Sequence, residues 1–392
     1  MALDFQQVRD QVQQLGISAS LKEDLLKQRR EYAYQLLQEK SGDIEVLRQR
    51  VELVARSYDP TLRCALPVAE ALNTRRALPP LPQAVTVLAA DGSQINPDRH
   101  AEVEYALTNV GAIRMRYSSS QPPTTWVRSN LIYGDELYPM TEARLALSRD
   151  LQERTHLSDL AAEADPPVIT FTDGPIELWG VREETGQEAS EYKDSLKEYL
   201  RVLREMRQRG VTTAGYVDKP WANLVTRLLE VAITPDDQLK EIRKLAPLHG
   251  ATDLHLFREL LDAGERSAVF AFQSQAAANY RGDLALHFFY LNVGKSGNDW
   301  LARVEIPAWV AEDPTALDTL HAVLLHQCRI MGERPYPYLL HRAHETAVVS
   351  LEEQEQVSQM IALELRKRGI TVAGLSYKQS AKNLAGRTRY KR

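Results

Sequence analysis

The chain has 392 residues, 44% apolar and 26% charged, enough to bury a sizeable core in one large domain or two smaller ones. Disorder, collagen and a disulfide scaffold are excluded. The strongest apolar run, Leu284 to Val293, is about ten residues and carries His287, so no transmembrane helix is expected. Asp4, Arg9 and Asp10 interrupt the start where a secretory signal would need an apolar block. With only Cys64 and Cys328, a reducing, cytoplasmic setting is the natural expectation. The net charge of −5 is unevenly spread. Arg366 to Arg392 holds nine Lys or Arg and no acid, leaving −14 on the preceding 365 residues. A basic end on an acidic body fits a polyanion partner, and fits a solvated terminus equally well.

Residues 1–78 predict a helical N-terminal region, an arm or dimerisation element. Its helices are expected over Phe5–Leu15, Lys22–Gln38 and Ile44–Ser57. The run Leu78-Pro79-Pro80-Leu81-Pro82 cannot continue a helix and marks a boundary, after which residues 83–392 form the main domain. Ala84–Ala90 is a β-branched apolar run expected to stop at the turn Asp91-Gly92-Ser93. Strands around Glu102–Val110 and Ala112–Ser118 suggest a meander. A helix over Thr141–Ala164 precedes a second buried strand, Pro167–Thr172, which again stops at Asp-Gly, Asp173-Gly174. Then come a charged helix (Tyr192–Gly210), a strand (Val211–Val217), and helices to about Leu261. Strands follow at Ser267–Phe272, Leu284–Val293 and Trp300–Ile306, then a helix over Pro314–Met331. Ser350 and Glu353 make an S-x-x-E capping box for a helix stopped by Gly369. This order implies α/β with a mixed sheet.

Asp91 and Asp173 each sit where an apolar strand meets a glycine. If the strands are neighbours, both carboxylates converge at one sheet end, where a divalent cation relieves their repulsion. Each pair is equally the composition of an ordinary turn. Glu153 shares a helical face with Ala146, Leu157 and Leu160 and is the candidate third carboxylate, with Glu142 and Asp150 as alternatives nearby. The segment from Arg334 to His344 is aromatic and rigid. Tyr336 lies between two prolines and His344 follows eight residues later, types able to position a phosphate, ligate Mn²⁺ or move a proton. Tyr338 and His341 in the same segment suit packing and surface contact. Motifs for zinc, ATP, dinucleotides and serine hydrolysis are missing.

Six segments in order, AADGSQI (from Ala89), FTDGPIELW (from Phe171), GYVDKP (from Gly215), DAGERSAVF (from Asp262), RVEIPAWV (from Arg303) and PYPYLLHRAHETAVVS (from Pro335), resemble the NurA nuclease family. The resemblance spans roughly Val85 to the C-terminus. It implies an RNase H-like core and a Mn²⁺-dependent DNA nuclease, a 5′-3′ exonuclease and single-strand endonuclease. It also implies a homodimer that works with a HerA-type hexameric translocase in end resection for double-strand break repair. Asp91, Asp173, Tyr336 and His344 match the family's functional residues, and Glu153 is placed by position and face. Asp91, Glu153, Asp173 and His344 would hold one or two Mn²⁺ ions, or Mg²⁺. Lys378, Lys382, Arg387 and Arg389 would contact DNA backbone without reading sequence. The competing readings are a catalytically silent DNA-end clamp that regulates a translocase and a phosphatase of small substrates. The latter lacks a D-x-D-x-[TV] nucleophile motif.

Overall fold

A computed structural model describes residues 3–98, 103–137, 140–180 and 186–370. In chain order, α1 (Phe5–Glu39) and α2 (Ile44–Ser57) precede two short strands, β1 (Cys64–Pro67) and β2 (Arg75–Arg76). Then come β3 (Thr86–Ile95), β4 (Ala106–Arg116), β5 (Thr124–Ile132), α3 (Glu142–Ala162), β6 (Val168–Asp173), α4 (Gln187–Gln208) and β7 (Thr212–Asp218). The remainder is α5 (Leu224–Ile233), α6 (Asp253–Leu260), β8 (Arg266–Ser267), β9 (Phe270–Gln273), β10 (Leu286–Asn292), β11 (Leu301–Pro307), α7 (Ala308–Ala311), α8 (Pro314–Ile330), α9 (Tyr338–Ala347) and α10 (Leu351–Lys367). Among the described residues no helix is long and apolar enough to cross a membrane.

The chain folds as two compact units. The first comprises residues 1–82, 174–177 and 214–337. Its strands β9, β10 and β11 pair antiparallel, with β1 added beside β9 and β2 beside β8. Aromatic rings fill its core. Phe257 stacks on Tyr290 at 4.4 Å and Phe270 on Phe288 at 5.6 Å, burial that drives this half of the fold. Asp253, fully buried, caps the start of α5 through the Val225 and Thr226 amides and accepts the Tyr290 hydroxyl, so its carboxylate is fully partnered.

The second unit, residues 83–173, 178–213 and 338–392, carries the meander β3-β4-β5 with β6 added parallel to β3. An antiparallel meander, a helix, and a fourth strand returning parallel to the first is the topology of an RNase H-like core. Helix α3 packs on β3 and β4, and α9 packs on the same two strands. A Cβ at Gly92 would point into α3, whereas a Cβ at Gly111 would point into α9. Gly111 is the register partner of Asp91, and neighbouring residues in a strand face opposite ways, so the two helices cover opposite faces.

Several elements differ from the sequence reading. The first two expected helices are one, α1, because the Gly16 region costs only about 1 kcal/mol of propensity and does not end a helix. The two expected strands broken at Gly111 are the single strand β4, and β5 is an additional strand. Ser267–Phe272 divides into β8 and β9. The largest difference is β3, which does not stop at Asp91-Gly92 but runs on to Ile95. The α10 start is as expected, with reciprocal bonds between Ser350 and Glu353, and Gly369 follows the helix at φ +77°.

Candidate active site

β3 is held on two sides by ladders of different length. Against β4 it pairs through to Ile95, but against β6 the pairing stops at Ala90↔Thr172. Asp91 and Asp173 are the next residues on the two parallel strands, about 4.8 Å apart in the ladder direction and facing the same way. That face belongs to α9. His344 Nδ1 lies 2.6 Å from Asp91 Oδ2, while Asp91 Oδ1 accepts the Gly92 amide. The Asp91 side chain is 16% exposed and the imidazole 63%.

α9 reaches this position because β4 carries a glycine under it. A Cβ on Gly111 would stand 2.6 Å from the Ala347 nitrogen and 2.8 Å from the Ala343 oxygen, backbone atoms that cannot give way. The Ala347 carbonyl, orphaned at the helix end, accepts from Ser93 Oγ at 2.5 Å and Asn109 Nδ2 at 2.8 Å, and Ser129 donates in turn to Asn109 Oδ1.

Glu153 comes from the opposite face. It is buried on α3, and a Cβ at Gly92 would meet its Oε1 at 2.5 Å and Arg149 Cγ at 2.6 Å. Gly92 is thus a gap in the sheet surface into which the Glu153 carboxylate and the Arg149 side chain reach. Burial, reinforced by the charges of Asp150 and Asp91, pushes the Glu153 carboxyl well above its ordinary range. Burial also raises Asp150, although Arg149 opposes this. Arg149 answers the cluster: it donates to Asp150 Oδ1 at 2.9 Å and to Gln94 Oε1 at 3.3 Å, and stands 3.5 Å from Glu153. Beneath it Arg154, fully buried, donates to Thr172 Oγ1 at 2.6 Å and Thr213 Oγ1 at 2.7 Å.

Of the residues singled out from sequence, Asp91, Glu153, Asp173 and His344 lie in this unit, with Asp91 and His344 in direct contact. Glu142 is exposed at the start of α3. Tyr336 belongs to the other unit, where its ring meets Tyr216 edge-on at 5.5 Å. Lys378, Lys382, Arg387 and Arg389 lie outside the described residues. Sequence reasoning missed Gly92, Gly111, Arg149 and Arg154. Gly111 had a readable signal, since an isolated glycine between Val110 and Ile113 in a β-branched run marks a close approach.

Among the described residues no three His, Cys, Asp or Glu side chains are gathered closely enough to enclose an ion. The donor chemistry nevertheless fits a hard divalent cation. Asp91 and Asp173 end adjacent parallel strands, His344 contacts Asp91, and Glu153 lies across the sheet behind Gly92, oxygen-rich donors with one imidazole of the kind a hard divalent cation takes.

An RNase H-like core with aspartates at the joined ends of parallel strands is the architecture of a metal-dependent nuclease. The model of the NurA domain family matches residues 85–349, more than half of the chain, and the chain belongs to that nuclease family. Its fold is similar to the crystal structure of the NurA nuclease from Sulfolobus solfataricus, at 12% identity and TM-score 0.51, over 92% of this chain and 98% of that one. A NurA structure with manganese aligns at 10% identity and TM-score 0.42, over 74% and 91% of the two chains. The catalytic domain of human Endonuclease V aligns at 13% and 0.30, over 81% and 96%. No curated protein sequence matches the chain significantly.

Proposed function

We propose that the protein is a Mn²⁺-dependent DNA nuclease, with Mg²⁺ as the lesser alternative, acting in end resection for double-strand break repair. In this reading it is a cytoplasmic homodimer working beside a HerA-type hexameric translocase, as a 5′-3′ exonuclease and single-strand endonuclease. The helices of residues 1–78, α1 and α2, serve as an arm or dimerisation element, while strands β1 and β2 of the same region pair with β9 and β8 of the 83–392 segment. The observation that carries the nuclease chemistry is the juxtaposition of Asp91 and Asp173 at one strand end, with Glu153 behind the Gly92 gap and His344 bound to Asp91.

Asp91, Glu153, Asp173 and His344 would hold one or two ions. A bound ion supplies Lewis acidity toward the scissile phosphate and activation of water. Asp91 fixes the His344 imidazole: with Nδ1 directed at Oδ2, Nε2 faces outward on a largely exposed ring and is the nitrogen that would ligate the ion. Arg149 keeps Asp150 and Glu153 oriented. Tyr336, its ring braced by Tyr216 in the first unit, carries a hydroxyl able to position a phosphate, the role the family resemblance implies for it. Lys378, Lys382, Arg387 and Arg389 contact DNA backbone.

The test is incubation with labelled linear DNA, with and without MnCl₂, beside a small phosphate ester. Mn²⁺-dependent DNA cleavage without ester hydrolysis is expected. Asp91→Asn and Asp173→Asn should each lower it by about 10²–10³-fold or more. DNA binding without cleavage in any divalent cation would establish the silent clamp instead.

A further inference from the structure

The segment joining β7 to α5 displays two side chains on a rigid support. Lys219 is at φ +43°, one of two non-glycine residues in the left-handed region among the described residues, a conformation that persists only where its surroundings hold it. Pro220 is buried, and the Ala222 carbonyl accepts the Asp253 amide at 3.2 Å, so the segment is anchored between its exposed residues. Trp221, between those anchors, is 85% exposed, more than any other large apolar side chain among the described residues. Leaving an indole in water forgoes about 1.5–3 kcal/mol of burial, which calls for a use.

The lysine is placed as deliberately. Its Nζ stands 3.9 Å from the centroid of the Trp300 ring. That ring is immobilised by its Nε1, which donates to Asp218 Oδ1 at 2.7 Å, and by its amide, which donates to Asn292 Oδ1. The Asp218 carboxylate is therefore engaged, and the ammonium is held over an aromatic face instead of pairing with it. Along the chain the exposed residues next to the indole are Lys219 and Asn223, a cation and an amide, the company a nucleic-acid strand uses.

We propose that Trp221 and Lys219 form a single-strand contact, Trp221 stacking on an unpaired nucleobase and Lys219 neutralising a neighbouring phosphate. A base offers its π-face only when unpaired, so the contact selects single-stranded over duplex DNA, without sequence preference. This rests on the nuclease reading above and adds the two residues that would hold an unpaired strand.

The full chain is titrated with a short oligo(dT) and with a blunt duplex of equal length, in Ca²⁺ to suppress cleavage, over a range of salt. Trp221→Ala should weaken oligo(dT) binding by roughly 5- to 100-fold, Trp221→Phe should keep most of it, and the duplex should change little. Lys219→Gln should reduce the salt slope on oligo(dT) by about 0.7. Unchanged oligo(dT) affinity in Trp221→Ala overturns the proposal and leaves the indole to a protein partner. Equal losses on both DNAs, or no oligo(dT) binding by the parent protein, overturn it too. A parent that cleaves DNA while Trp221→Ala binds oligo(dT) normally breaks this inference alone; a parent that binds oligo(dT) but never cleaves breaks the nuclease reading alone.

Discussion

The chain spells Asp-Gly twice after an apolar strand, and the two copies solve different problems. At Asp173-Gly174 the strand does end. Gly174 is at φ +83°, and a methyl there would meet nothing within 4 Å, so glycine is present for its backbone. At Asp91-Gly92 the strand continues for three residues past the glycine, which has no positive φ. There glycine is present for its missing side chain, whose place is filled by Glu153 and Arg149. One dipeptide sets where a strand stops; the other lets a carboxylate approach through a sheet. Identical local sequence thus carries no fixed meaning until the opposite layer is known.

Adding one methyl to each glycine breaks this comparison most directly. Gly92→Ala should lower nuclease activity by about 10- to 100-fold, because Glu153 must move by a sizeable fraction of an ångström or more. Parent-like cleavage kinetics in that variant would show that the gap has no bearing on chemistry.

The buried carboxylate gives the next largest effect. The folded-state pKa of Glu153 lies above its ordinary value of 4.5. The stability linked to this group is therefore fully present below that value and is lost as pH rises through the raised one. Glu153→Gln should consequently lose activity yet melt higher at neutral pH in chelator, on the order of 2–4 °C. The advantage should shrink as pH falls toward 4.5. A lower melting temperature than the parent at pH 7 would show that the Glu153 charge is already compensated.

The smallest effect belongs to the true turn. Gly174→Ala should cost about 1–2 kcal/mol in denaturant unfolding through backbone strain alone, with the cleavage rate of the folded enzyme nearly unchanged. Should Gly174→Ala impair cleavage as much as Gly92→Ala does, the distinction between the two glycines falls.

Much of the core was legible because it follows local rules. The helix around Glu153, the buried strand before Asp173 and the Ser350 capping box were all readable from periodicity and end signals. The burial of Glu153 followed from its apolar neighbours one and two turns away. What stayed hidden depends on the facing layer. Gly92 and Gly111 looked like breaks because glycine is a breaker in isolation, and only the approach of α3 and α9 shows both to be clearances inside continuous strands. Arg149 and Arg154 looked like ordinary helical cations, and their engagement depends on Gln94, Thr172 and Thr213, distant in sequence.

Strand β5 has a consequence of another kind. Among the described residues it ends the strand order beyond β4, runs nine residues from Thr124 to Ile132, and is exposed along most of its length, with Val127 at 55% and Leu131 at 38%. Its outer row of amides and carbonyls is a ready template for another extended chain, and it contains neither proline nor lysine to discourage one. Arg128, tied to Asp159, is the single charge on it. At high concentration this is where copies would first add strand to strand, and a lysine at Val127 would be the simplest guard against precipitation.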